Sequence, residues 1–475
     1  MSLVGRKEEI RDLDRYMESG KAEFIAIYGR RRVGKTFLVD NYFNCSYAFF
    51  TTGVIGGKRK EEMTVFYQSL KKAGFKGRKP QTWMDAFSAL TEVLEEKKQE
   101  GKRRVLFLDE LPCFATTGSG FVNALDWFWN SWASKQPDIF MIVCGSATSW
   151  IVKNIINNKG GLHNRITHEM HLRPFTLAET SAYLEARGFV WDEISIIQTY
   201  MILGGIPYYL GLLKPDLSIA QNIDKLFFAP MAELKTEYDR LYKSLFKTPE
   251  KYIAIIDLLA ANSRTGMTRK EIAMALGSES SGHLSERLDD LVNSDFIRLY
   301  NVKDKKISSS NGIYQLVDFY SIFYHSFGKI TTTDTAYWTK MITSHKQSTW
   351  WGLAYERLCM AHIPQILSAL GVESVHTEYY SWRSRDDEAP RAQVDLIIER
   401  DDRIINLCEI KYTSSEEYEL DADERQKIAN RIASFRKETG TKYGIIPTLI
   451  TTYGLKKNKH SSFFPQAVTM FDLMK

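Results

Sequence analysis

Cysteine is scarce in this sequence, and nothing pairs it. Five thiols, Cys45, Cys113, Cys144, Cys359 and Cys408, are scattered over 475 residues without a C-x-x-C. Most lie in apolar runs, where a buried free thiol is the expected state, and an odd, unpaired count suits a reducing cytoplasm. Long hydrophobic runs are also missing: no apolar stretch reaches the ~18 residues of a membrane span. The N-terminus carries charge from Arg6 onward and lacks the apolar stretch of a signal peptide. No charge of one sign prevails. Lys+Arg 63 against Asp+Glu 58 gives +5, too little to announce nucleic acid by itself. Low-complexity segments and repeats of roughly 20–50 residues are absent, which argues against a solenoid. What remains is ordinary for a soluble protein, with 44% hydrophobic and 25% charged residues. The length exceeds one core, so two to four domains are expected.

The most informative stretch is Gly29-Arg30-Arg31-Arg32-Val33-Gly34-Lys35-Thr36. It fits G-x-x-x-x-G-K-[ST], a phosphate-binding loop. Glu23-Phe24-Ile25-Ala26-Ile27-Tyr28 before it reads as a buried strand, and Phe37-Leu38-Val39 after it can open a helix. Two glycines let the backbone wrap a phosphate with N–H groups inward, and the helix N-terminus adds its positive end. Lys35 is expected to reach the β- and γ-phosphates, and the Thr36 hydroxyl to ligate Mg²⁺. The implied ligand is a nucleoside triphosphate, ATP.

A second half of such a site follows. Arg104-Val105-Leu106-Phe107-Leu108-Asp109-Glu110 is a buried strand ending in two acids. Asp109 is expected to hold Mg²⁺, and Glu110 to orient the attacking water. The spacing of about 75 residues leaves room for an intervening strand, for which Ser46–Thr52 is the candidate. Phe140 to Ser146 is another buried strand. Ser146 reads either as a polar sensor of the γ-phosphate or as a helix cap. Upstream, Gly5-Arg6 opens an amphipathic helix and reads either as an adenine-side element or as a plain helix start. Arg165 reads either as a finger acting in trans, which would need a homo-oligomer, or as a surface arginine. Leu172-Arg173-Pro174-Phe175 then opens a helical lid that Gly204-Gly205-Ile206-Pro207 closes.

Taken together, Arg30 to Thr36, Leu108-Asp109-Glu110, Leu172-Arg173-Pro174-Phe175 and Gly204-Gly205-Ile206-Pro207 resemble the archaeal-type ATPase family, an AAA+/STAND-related group. The resemblance covers roughly residues 1–235. It implies an α/β ATP-binding core with a small helical lid and a nucleotide-driven switch. Gly5, Arg6, Gly29, Arg30, Arg31, Arg32, Val33, Gly34, Lys35, Thr36, Phe37, Asp109, Ser146 and Pro207 would then surround the nucleotide.

From Thr248 the pattern changes. Three helical segments, Tyr252 to Ala261, Thr268 to Gly277 and Ser280 to Ser294, precede two strands, Phe296 to Tyr300 and Gly312 to Val317, with Lys303-Asp304-Lys305-Lys306 between them. This is the pattern of a winged helix-turn-helix. On the third helix Glu286, Asp289, Asp290 and Asp295 outweigh Arg287 and would repel phosphates in a major groove. A connector or protein contact therefore fits better than base reading.

The last third holds a second constellation. Gln393 to Ile398 and Ile404 to Lys411 read as two strands of a hairpin. Glu409 and Lys411 are two apart and so share a face, across from Asp395. Two carboxylates there could hold Mg²⁺ or Mn²⁺, and Lys411 could polarise a water attacking a phosphodiester. Asp395, Glu409-x-Lys411, and Glu356 on the preceding helix resemble the PD-(D/E)xK nuclease superfamily over roughly residues 345–475, with Val394 where the name-giving proline would stand. The helix Ala422–Glu438, carrying Arg425, Lys427, Arg431 and Arg436, follows as that resemblance implies.

The expected architecture is α/β: a P-loop ATPase core with helical lid over 1–235, a winged helix over 236–320, and a PD-(D/E)xK-like domain over 321–475. The expected activity is an ATP-regulated, metal-dependent DNA nuclease. The alternative is a nucleotide-dependent switch or scaffold that binds nucleic acid or protein without cutting.

Overall fold

Unbroken apolar strands separated by amphipathic helices can only be buried on both faces, as in a parallel sheet. The computed structural model has this arrangement at its N-terminal end. It describes residues 3–157, 162, 164–277, 282–300, 312–342, 344–384 and 392–475. The chain forms two units. The first comprises Met1–Pro174, Asp239–Tyr252 and Glu286–Asp295; the second comprises Phe175–Tyr238, Ile253–Ser285 and Phe296–Lys475. Among the described residues no helix is long and apolar enough to cross a membrane.

In the first unit, β1 (Glu23–Tyr28), β2 (Phe49–Thr52), β3 (Arg104–Asp109), β4 (Ile139–Gly145) and β5 (His168–His171) form one parallel sheet in the order β2-β3-β4-β1-β5. The central strands are buried almost throughout, while the edge strands β2 and β5 are not. Helices α1 (Lys7–Met17), α2 (Lys35–Tyr42), α3 (Arg59–Lys72), α4 (Trp83–Glu96) and α5 (Phe121–Ser131) accompany it. Helix α4 starts where Thr82 Oγ1 accepts from the Asp85 N–H at 3.2 Å and Asp85 returns a bond to the Thr82 N–H at 3.0 Å. That reciprocal cap satisfies two N–H groups the first turn would otherwise leave open. Its apolar face meets α3 and α5 edge-on: Trp83 lies 5.4 Å from Phe66 and 4.8 Å from Phe121, ring centre to ring centre.

Two later segments belong to this unit for identifiable reasons. The Tyr252 hydroxyl donates to Asp290 at 2.6 Å, and Asn293 donates to Ser149 at 3.2 Å. Asp295 Oδ2 lies 3.0 Å from Nε2 of His171, at the end of β5, an ion pair when that histidine is protonated. Acids of the third helical segment are thus partly spent on contacts inside the chain.

The second unit begins with α6 (Leu177–Ala186) and α7 (Glu193–Leu203). It also holds most of α8 (Pro249–Ala261), all of α9 (Arg269–Ala275) and the start of α10 (Gly282–Asn293). The strands β6 (Met267–Thr268), β7 (Ile297–Tyr300) and β8 (Ile313–Leu316) form an antiparallel sheet in the order β6-β8-β7. The charged tip expected at Lys303–Lys306 lies outside the described residues. The aromatic stretch from Phe319 is core: Phe323 packs 5.0 Å from Trp338 and 5.4 Å from Trp350.

The C-terminal elements run α11 (His345–Ala361), β9 (Thr377–Arg383), β10 (Gln393–Arg400), β11 (Ile404–Lys411), α12 (Ala422–Thr439), β12 (Gly444–Thr451) and β13 (Gln466–Thr469). Their sheet has the order β13-β12-β11-β10-β9, antiparallel from β9 to β11 and parallel from β11 to β13. Helices α6 and α7 are bonded to these elements. The Leu177 N–H donates to Nε2 of buried His362 at 2.9 Å, and Gln198 donates to the Tyr412 hydroxyl at 2.9 Å. Because Nε2 accepts, the proton of His362 sits on Nδ1, 2.8 Å from the Leu358 carbonyl. Burial lowers the His362 pKa and keeps the ring neutral, as that geometry requires.

One close approach explains two of the sequence motifs. The Phe175 N–H donates to the Gly205 carbonyl at 2.6 Å. A Cβ at Gly205 would stand 1.9 Å from the Phe175 carbonyl oxygen, so only glycine fits. The Leu-Arg-Pro-Phe and Gly-Gly-Ile-Pro segments therefore meet through backbone. Replacing Gly205 by Ala is expected to cost about 3 kcal/mol or more, since backbone must move. Thermal melting would read this as a large fall in midpoint; an unchanged midpoint would refute the contact.

Candidate functional site

The nucleotide loop is built by conformations that most side chains resist. Gly29 and Gly34 have φ of 144° and 91°, and Arg32 has φ of 75°. At Gly29 a Cβ would lie 2.2 Å from the Leu172 carbonyl oxygen, while the Leu172 N–H donates to Tyr28 at 2.7 Å. The loop is thus closed from behind by the residue that follows β5. Gly34 precedes α2, so the loop ends on a helix N-terminus.

Lys35 is buried and donates to the Gly29 carbonyl at 2.8 Å, the Arg30 carbonyl at 3.0 Å and Ser146 Oγ at 3.2 Å. Ser146 passes the chain of bonds on, donating to Glu110 Oε1 at 2.6 Å. Thr36 Oγ1 donates to Asp109 Oδ2 at 3.1 Å, and the Cys144 thiol donates to Asp109 Oδ1. Burial pulls the Lys35 ammonium below its usual value, opposed by the nearby acids, and raises the Asp109 carboxyl, with Glu110 adding to the rise. The hydroxyl and carboxylate of Thr36 and Asp109 are hard oxygen donors side by side, the chemistry Mg²⁺ selects. Glu110, at φ 46°, leaves the strand sharply and is anchored by the Ser146 N–H at 3.1 Å.

The second constellation lies on the C-terminal sheet. Leu396 pairs with Cys408, so Asp395 and Glu409 are the next residues outward on β10 and β11. The pairing of β10 with β9 slips between Val394 and Ile397, a bulge that spans Asp395. Lys411 lies 3.0 Å from Glu409 and 2.8 Å from Glu424, and Arg431 Nη1 donates to Glu409 Oε2 at 2.5 Å. Gln393 donates to Asp395 at 2.8 Å. Burial alone would lower the Lys411 pKa, but Glu409 and Glu424 outweigh it and hold the ammonium above its usual range. Glu356, on α11, is pushed up to about 7, first by burial and then by the charge of Asp395, with Glu409 adding to it. Three carboxylates from three elements therefore share one electrostatic locus. Among the described residues, no group of three or more His, Cys, Asp or Glu is gathered closely enough to hold a metal ion.

Residues 3–213 match the family described as an ATPase domain predominantly from Archaea. The N-terminal region is an archaeal-type P-loop ATPase domain. An uncharacterized protein of Methanocaldococcus jannaschii is 25% identical over 330 residues, 68% of each chain. An uncharacterized ATP-binding protein of the same organism is 51% identical over 40 residues, 8% of this chain and 68% of its own. Among solved structures, the Walker-type ATPase of Pyrococcus abyssi is similar over 68% of this chain and 96% of its own, at 18% identity and a TM-score of 0.48. The RuvB Holliday junction branch migration motor of Thermotoga maritima covers 66% of this chain and 94% of its own, at 13% identity and a TM-score of 0.34. The ATPase domain binds and hydrolyses ATP.

Other residues singled out in the sequence are distributed differently. Arg6 is buried and donates to the Val33 carbonyl at 3.0 Å, bracing the loop, and Gly5 beside it has φ of 71°. Phe37 is half exposed on α2, and Arg165 is exposed in the turn before β5. Pro207 opens a short helix, Pro207–Gly211, in the second unit. Sequence reasoning missed Cys144 and Gln393. For Cys144 a signal existed: it sits two residues before Ser146 on β4, so both face the same side beside Asp109.

The Glu356 shift has a sign that can be tested. Between about pH 4.5, the ordinary value, and about 7, the folded protein keeps a proton that the unfolded chain has released. Stability contributed by that proton is present at low pH and is lost as pH rises to about 7. With EDTA present, Glu356→Gln is expected to stabilise the protein at pH 8, by on the order of 1–3 kcal/mol, and to change little at pH 5. Equal effects at both pH values would show that Glu356 is not in this field.

Proposed function

We propose that this chain is an ATP-regulated, metal-dependent DNA nuclease whose cutting site is the C-terminal sheet. The observation that carries the reading is the convergence of Asp395, Glu409 and Glu356, with Lys411 at 3.0 Å from Glu409, on a helix–three-strand–helix–strand order. Mg²⁺ or Mn²⁺, when bound, would supply Lewis-acid stabilisation of a phosphodiester and an activated water. Asp395 and Glu409 are the oxygen donors for it. Glu409 is engaged by Lys411 and Arg431, so it turns to a cation only as those pairs loosen. Lys411, held charged, positions a scissile phosphate or its water; Glu356 is poised to hold or pass a proton near neutral pH.

The elements between residues 249 and 316 fit a winged helix that serves as connector. Asp290 is occupied by Tyr252 and Asp295 lies against His171, which supports this over a helix laid in a major groove. Nucleotide state at Lys35 and Asp109 would gate Asp395, Glu409 and Lys411; within the second unit, α6 and α7 are bonded to His362, which follows α11, and to Tyr412, which follows β11. Arg165, if it acts in trans, requires a homo-oligomer.

A second reading draws on a specific observation. The paired state of Glu409, with no three-acid metal group among the described residues, favours a switch or scaffold that binds nucleic acid or protein without cutting. One experiment separates the two. Single-stranded, double-stranded and branched DNA are incubated with Mg²⁺ or Mn²⁺, with and without ATP, beside Asp395→Ala. The nuclease reading expects cutting that the variant loses while ATP binding persists. Cutting retained by Asp395→Ala sinks the site, and intact ATP turnover with no cutting on any substrate leaves the switch.

A further inference from the structure

A cavity of about 190 Å³ opens in the second unit, and Asp395 and Glu356 form only part of its wall. Among the described residues, its charged lining is four arginines, Arg264, Arg298, Arg357 and Arg383, against those two carboxylates. Arg298 comes from β7 of the three-stranded sheet and Arg357 from α11. Both are fixed by neutral oxygens. Arg298 donates through Nε and Nη2 to Gln315 Oε1 at 3.0 and 2.6 Å, and its guanidinium lies 5.1 Å over the ring of Tyr300. Arg357 donates to the Leu353 carbonyl at 3.2 Å and to the Ser263 carbonyl at 2.7 Å. Gln315 also donates to Ser263, at 3.0 Å, so one carbonyl locks both arginine mounts.

This arrangement is costly without an anion. Arg357 is only 9% exposed, and its Nε–H is buried with no acceptor among the described residues. Its pKa is pushed down to about 10, by burial first, with Glu356 opposing and Arg298 adding like-charge repulsion. Neutral oxygens take Nε and Nη2 of Arg298 and both Nη groups of Arg357 but do not cancel charge, and Glu356 offsets only part of it, so two guanidinium charges are held at the wall of a small cavity. A phosphate is the anion whose charge and acceptor oxygens guanidinium groups recognise.

We propose that this cavity seats one phosphate of a nucleic-acid strand, with Arg298 and Arg357 as its ligands, beside Asp395. The nucleic-acid identity of the ligand rests on the nuclease reading; the anion site does not. The three-stranded sheet then contributes to the C-terminal site directly, through Arg298, and a strand entering the cavity would be registered by its backbone rather than its bases.

The test measures binding, not cutting, so the two readings can fail separately. Full-length protein in EDTA is titrated with a 3′-labelled single-stranded oligonucleotide by fluorescence anisotropy, over a range of salt, with dAMP as competitor. Arg298→Gln is expected to weaken strand binding about tenfold and to flatten the log–log salt slope by roughly 0.7, the loss of one phosphate contact on a single strand. The P-loop is intact in both proteins, so the difference reports the cavity. Unchanged affinity and slope would overturn the proposal. Weaker dAMP competition with unchanged strand affinity would identify a free nucleotide as the ligand and overturn the strand assignment. If Arg298→Gln melts early, Arg298→Lys keeps the charge without the planar donor group and is expected to weaken strand binding while leaving the salt slope in place; unchanged affinity in that variant would overturn the proposal. Strand binding that depends on Arg298 in a protein that never cuts would keep the cavity and discard the nuclease.

Discussion

The burial of one ammonium group organises the ATPase unit. Lys35 is taken out of water at the base of the phosphate loop, where it has to find oxygens or lose its proton. It finds two loop carbonyls and the Ser146 hydroxyl, and the acids Glu110 and Asp109 help to hold the charge. Those oxygens come from the ends of β1, β3 and β4, so the strand order has to bring the three ends together. The order β2-β3-β4-β1-β5 does so, and the close approach of Leu172 to Gly29 closes the loop from behind.

The second unit has the opposite electrostatic character. Near the C-terminal sheet like charges are pressed together: Asp395, Glu409 and Glu356 on one side, Arg298 and Arg357 on the other. Asp395, Glu409, Arg298 and Arg357 are held by amide, cross-paired or backbone contacts that set their direction. Glu356 responds by binding its proton to about pH 7, and Glu409 by recruiting Arg431 and Lys411. Such unrelieved charge is typical of places where a ligand completes the balance. In the same unit, the helices that follow residue 174 are bonded to His362, at the end of α11, and to Tyr412, just beyond β11.

The strands that sequence reasoning did not anticipate share a cause. Strand β5 is His-Glu-Met-His, an edge strand with little apolar signal, and it pairs only because β1 offers an open side. Strand β12 carries Pro447, which ordinarily argues against an interior strand. The strand is nonetheless interior: Pro447 stands opposite Leu407 on β11, and the pairing with β13 begins one residue later, at Thr448. In both cases neighbours from elsewhere in the chain overrode local preference.

What the sequence determined by itself was the groupings of side chains that need only a fixed short spacing. Gly29 to Thr36, Asp109-Glu110, and Glu409-x-Lys411 are local patterns, because a phosphate loop, a strand end and a strand face are each set by a few consecutive residues. Ser146 was legible for the same reason, as the polar residue at the end of an apolar strand. Tertiary structure alone decided what those groups face. Arg6 turned to the loop backbone, Cys144 reached Asp109, Glu409 was taken by Arg431, and Arg298 came beside Arg357 across some sixty residues of chain. Such contacts depend on which strand ends and helix faces are adjacent, and adjacency is settled by burying the whole apolar surface at once rather than by any local run of residues.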